Sequence, residues 1–151
     1  MKKKLLFLLC SLSFLYATPA TQVDVQAGVG LPIFGTPNPS ATLGFMSYRY
    51  TNNWYYVALG AGGWLGERGT GIGNLGVGLN YQDFSIGTGP SYITHLTTTL
   101  GTHFQFMSAA RWTFNPLPIF VEYDHISNAS KIFGGNNANQ GENFLGLGYA
   151  F

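Results

Sequence analysis

Leu145-Gly146-Leu147-Gly148-Tyr149-Ala150-Phe151 closes the chain. Large apolar residues hold the odd positions, and Gly or Ala hold the even ones. Successive strand side chains point to opposite faces. The segment is therefore a strand with one bulky apolar face and one almost bare face. An ordinary half-buried strand would pair its apolar face with a polar one. Here the second face is glycine, which suits the narrow interior of a small closed barrel. Barrels of the outer-membrane type also tend to end in an aromatic residue, as Phe151 does.

The same alternation recurs upstream. Val23, Val25, Ala27 and Val29 alternate with Asp24, Gln26, Gly28 and Gly30; Leu75, Val77, Leu79 and Tyr81 alternate with Gly76, Gly78 and Asn80. The pattern predicts eight strands, at about 22–31, 40–50, 54–64, 71–82, 84–93, 99–112, 118–128 and 142–151. Asn52, Asp83 and Pro116 fall in short connections, and the segments after strands one, three, five and seven are longer. Short turns at one end and long loops at the other is the arrangement of outer-membrane barrels, with long loops outside. The fold expected is all-β: an eight-stranded antiparallel transmembrane β-barrel.

Composition agrees. Charged residues are 9% of the 151 and aromatics 16%, against roughly a quarter charged in soluble proteins. Met1-Lys2-Lys3-Lys4, an apolar run from Leu5 to Tyr16 and a small Ala17 have the form of a secretory signal. The expected organisation is a signal peptide over 1–17, with Ala20 as the other exit, and one barrel domain over 18–151. Loss of Lys2, Lys3, Lys4 and Cys10 with that signal would leave four cations against six acids, a net charge of −2, and no cysteine. No basic stripe remains, so nucleic acid is not an expected partner, and disulfides are excluded. His95 and His103 are too scattered for a metal site, and no cofactor is expected. Arg49, Arg111, Glu122, Asp124 and Gln105 read as an interior polar network, with His103 on that inner face too. Gly71 to Gly76 spells G-x-G-x-x-G, but the residues after it are strand-like, whereas a nucleotide loop opens a helix.

Chemistry enters at Val121-Glu122-Tyr123-Asp124-His125-Ile126-Ser127-Asn128-Ala129. His125 and Ser127 share a face with Ile119, Val121 and Tyr123. If that face meets lipid, a base and a nucleophile sit at the membrane's edge, where polar side chains are costly. A serine hydroxyl needs a neighbouring imidazole to take its proton before it attacks well.

His125-Ile126-Ser127-Asn128-Ala129, followed by Asn139-Gln140-Gly141 and a last strand ending in Phe, resembles the outer-membrane lipid A 3-O-deacylases. The specific resemblance covers roughly the last thirty residues. It implies a serine esterase of the bacterial outer membrane that removes the 3-O-linked acyl chain of lipid A, with lipopolysaccharide as partner. Ser127 would be the nucleophile, His125 its general base, and Asn128 or Asn139 an oxyanion donor. The family places an acid two residues beyond the Gly of Asn-x-Gly, where this chain has Asn143. Parity counted back from Phe151 puts Asn143 on the outward face and Glu142 on the inner face. A carboxylate is the better partner for an imidazolium, so Glu142 is ranked first as third member, with Asn143 the alternative. A homodimer is compatible with all of this. The competing reading is a structural or adhesive barrel without catalysis.

Overall fold

The structure, a computed structural model, describes residues 20–31, 42–65, 69–97, 99–128 and 141–151. Among these residues, eight strands form one closed antiparallel barrel in chain order, each paired with its sequence neighbours and β1 with β8. They are β1 Ala20–Gly30, β2 Thr42–Thr51, β3 Tyr55–Leu65, β4 Thr70–Tyr81, β5 Phe84–Ile93, β6 Phe104–Thr113, β7 Ile119–Ser127 and β8 Glu142–Ala150. No helix occurs among the described residues. The expected signal segment, Asn139 and the stretch 129–140 lie outside the described residues.

Three short connections gather at one end of the barrel. In the first, Asn52 Oδ1 accepts from the backbone N–H groups of Trp54 and Tyr55, at 2.9 and 3.1 Å, a side chain standing in for a turn carbonyl. The second is the two-residue hairpin Gln82-Asp83, with Gln82 at φ 53°. In the third, Asn115 Nδ2 donates to Asp83 Oδ1 at 2.7 Å, tying neighbouring turns together.

The outer wall is apolar. Leu59, Leu79 and Leu147 are 65%, 66% and 61% exposed, and Val25, Val77, Ile86, Phe104 and Trp112 share the same side. Exposed apolar area on this scale opposes water contact at roughly 25 cal/mol per Å², and a large patch of it marks a surface that meets protein or membrane.

The interior is layered. Arg111 sits mid-barrel, its Nη1 2.6 Å from Asp24 Oδ2 and its Nε 2.5 Å from Glu122 Oε2. Gln26 Nε2 donates to Asp124 Oδ2 at 2.7 Å. Arg49 donates to Ser85 Oγ at 2.9 Å and lies 3.6 Å over the Tyr56 ring. Arg49, Arg111, Glu122, Asp124 and Gln105 are all buried, in line with the sequence pattern. Asp24 and Gln26 belong to the same layer. Towards the long-loop end the interior becomes apolar, filled by Leu43, Trp64, Ile72, Ile93, Leu100 and Phe144. Open space lies at the turn end, a cavity of about 610 Å³ bordered by Arg49, Asn80, Asp83 and Arg111. Glycines make room for the larger rings inside: a Cβ on Gly148 would run into the Phe120 ring.

Strand ends match expectation within two residues except at β6. The alternation suggests a start near 99, but the strand begins at Phe104. Thr99 and Leu100, ahead of it, fold inward. Leu100 is fully buried in the apolar layer, its N–H donating to Thr97 Oγ1 at 3.0 Å. His103, expected inside, is instead exposed, stacked on Tyr92 at 5.5 Å between centroids, with its Nδ1 2.8 Å from the Ile93 carbonyl. Tyr56, which adjoins the exposed aromatics Trp54 and Tyr55 in sequence, turns inward beneath Arg49.

Candidate active site

β7 alternates strictly. Phe120, Glu122, Asp124 and Ile126 are buried inside; Ile119, Val121, Tyr123, His125 and Ser127 face out and are half-buried. His125 and Ser127 therefore share the outer wall at the long-loop end of the strand. Two residues of strand separate them, about 7 Å between Cα atoms.

β8 runs alongside, and its register sets the partner. His125 pairs with Asn143, Ile126 with Glu142 and Tyr123 with Leu145. Residues directly opposite on one face have neighbouring Cβ atoms, so Asn143 is delivered to the imidazole by pairing alone. Its Oδ1 lies 2.8 Å from His125 Nδ1 and receives the Tyr123 hydroxyl at 2.5 Å. A carboxamide oxygen only accepts. Nδ1 therefore carries a proton, and in the neutral ring Nε2 is the nitrogen with the lone pair that a general base needs.

Glu142 goes elsewhere. It is buried on the inner side, where its Oε1 accepts from Thr99 Oγ1, itself buried in the loop between β5 and β6. Of the two candidates for third member, Asn143 is the one brought to His125. The outward parity of Asn143 persists although its side chain is only 1% exposed. Among the described residues the imidazole bonds Asn143 and not Ser127. Serine–histidine contacts of this kind commonly close only when substrate is seated. Asn128 follows Ser127 directly at the strand end and is half-buried.

Gly141, which in the sequence only ends Asn-x-Gly, is part of this arrangement. Its φ is +75°, a conformation that favours glycine, and a Cβ there would lie 2.8 Å from His125 Cε1, 2.9 Å from the Ile126 carbonyl oxygen and 3.3 Å from Ser127 Cβ. The chain thus enters β8 by passing flush against both candidate residues. Tyr123 reads in the sequence only as a wall residue, and its bond to Asn143 has no local signal.

On the same wall, a shallow groove of about 370 Å³ runs across β7, β8 and β1, lined by Val121, Leu145, Leu147, Ala27 and Val29. Leu145, opposite Tyr123, connects it to the His125 neighbourhood. The groove exists because Ala27 is small where its neighbours Val25 and Val29 are large. No group of three or more His, Cys, Asp or Glu side chains suited to a metal occurs among the described residues. Comparisons with protein-family models, with curated proteins and with solved structures find no match to this chain.

Proposed function

We propose that this chain is an outer-membrane serine esterase, exported by its N-terminal segment, that hydrolyses the 3-O-linked acyl chain of lipid A. The observation that carries the reading is the His125 Nδ1 bond to Asn143 on an outward, apolar wall, with Ser127 beside it. The histidine and the serine face away from the barrel interior at the long-loop end of β7. They suit a substrate that lies in the surrounding lipid.

The steps follow from the tautomer. Ser127 Oγ attacks the acyl carbonyl while His125 Nε2 takes its proton. The sugar hydroxyl leaves with that proton, and the acyl group stays on Ser127. Water, deprotonated by the same Nε2, then releases the fatty acid and restores the serine. N–H groups at Asn128 would bind the oxyanion, one such donor being worth ~3–4 kcal/mol. Asn143 holds the imidazole and its tautomer, a role that an asparagine fills in some Cys–His enzymes. The wall groove below Tyr123 accommodates an extended acyl chain.

The test is lipid A from Gram-negative cells expressing the chain or its Ser127→Ala variant, compared by mass. The wild type should remove one 3-hydroxyacyl group and the variant none. Unaltered lipid A with a correctly inserted wild-type barrel would leave the structural reading in its place.

A further inference from the structure

The pairing that brings Asn143 to His125 continues in the other direction. His125 is opposite Ser108 on β6, and Ser108 is opposite Thr88 on β5. All four side chains lie on the outward parity of their strands. They form one row of polar side chains, Asn143, His125, Ser108 and Thr88, across four strands of a wall that, Ser127 aside, is mostly aliphatic and aromatic. Thr88 Oγ1 and Ser108 Oγ are 3.0 Å apart. The Ser108 hydroxyl is thus engaged with Thr88.

Two hydroxyls carry two protons, and their mutual bond uses one. The other hydroxyl proton is free to rotate toward a ligand on this outward face, mid-strand, where a donor facing hydrocarbon would gain from an acceptor. The surface is also low at this point. Ser108 and Ala110 are the small outward residues of β6, lying between Phe106 and Trp112, which are large and exposed. Ala110 is opposite Tyr123. A notch with a hydroxyl floor therefore adjoins the histidine on the side opposite the acyl groove.

We infer that the Thr88–Ser108 pair is a second binding subsite, which takes a carbonyl of the lipid other than the scissile one: the ester or amide linkage of a neighbouring acyl chain. A carbonyl accepts the remaining proton without needing a charge in the wall. The subsite rests on the esterase reading, and selects amphiphiles that carry two acyl linkages side by side.

The probes are a synthetic glucosamine phosphate with an ester-linked chain at position 3 and a second ester-linked chain beside it, and its analogue with that neighbouring chain ether-linked. Hydrolysis at position 3 is measured for each in detergent micelles. The wild type should prefer the diester by about three- to tenfold in kcat/KM, the worth of one hydrogen bond. The double variant Thr88→Val, Ser108→Ala, checked for folding by heat-dependent gel mobility, should lose that preference. Thr88→Ser should retain it. A wild type that cleaves both probes equally, or a double variant that keeps the preference, overturns the subsite alone. A folded wild type that cleaves neither probe overturns the esterase reading and the subsite with it.

Discussion

Gly141→Ala probes the site without replacing any group that reacts. The added Cβ would stand 2.8 Å from His125 Cε1, where ordinary contact begins at 3.4 Å. The Ile126 carbonyl at 2.9 Å belongs to the β7 backbone and cannot move aside. The imidazole is left to retreat by about 0.6 Å, which stretches its 2.8 Å bond to Asn143. A displacement of 1 Å in a reacting group can cost about a hundredfold in rate, so the expected loss in kcat is about tenfold. KM should stay within about twofold, because the acyl groove lies on the opposite side of His125. The left-handed φ adds ~1–3 kcal/mol of strain to the folded state. Fatty-acid release in detergent reads the rate, and urea unfolding in the same detergent reads the strain. Gly44→Ala is the control, since a Cβ there meets nothing within 4 Å. A folded Gly141→Ala protein with wild-type kcat would show that the entry to β8 does not seat the histidine.

Asn143→Ala should lower kcat by about a hundredfold by freeing the tautomer, while Glu142→Gln, whose group lies on the inner side, should leave kcat within about threefold; deacylation assays on both variants decide which residue orients His125. Asn143→Asp keeps acceptors for both Tyr123 and His125 and adds a charge that stabilises the imidazolium, so kcat should rise several-fold in the same assay. Arg111→Met strands Asp24 and Glu122 in the interior and should cost ~3–5 kcal/mol of stability by urea unfolding, most of it recovered when Asp24→Asn and Glu122→Gln are added.

The barrel is legible in the sequence because an apolar outer wall and a narrow interior force a period of two on every strand. Phe84 to Ile93 can be read to the residue. The pattern misleads where an apolar side chain leaves the wall. Leu100 continues the alternation of β6 in sequence, yet it plugs the barrel end, and nothing local separates a plug from a wall residue. His103 fails for the same reason, its inward parity being counted along a strand that has not yet begun.

At the site, parity and chemistry give opposite rankings, and the count back from Phe151 is the one the geometry follows. A preference for a carboxylate weighs the imidazolium alone. It leaves out where the partner must stand. Position 143 is 1% exposed, and an ionised group there carries a desolvation penalty that two donors, Tyr123 and His125, only partly offset. Asparagine avoids the penalty, fixes the same tautomer and gives up the charge. The carboxylate next door is held inside the barrel by Thr99, where it anchors the first residue of β8 against the loop between β5 and β6. The two adjacent residues thus act in sequence. Glu142 fixes the strand's starting point, and Asn143, one position on and facing the other way, uses that placement to meet His125.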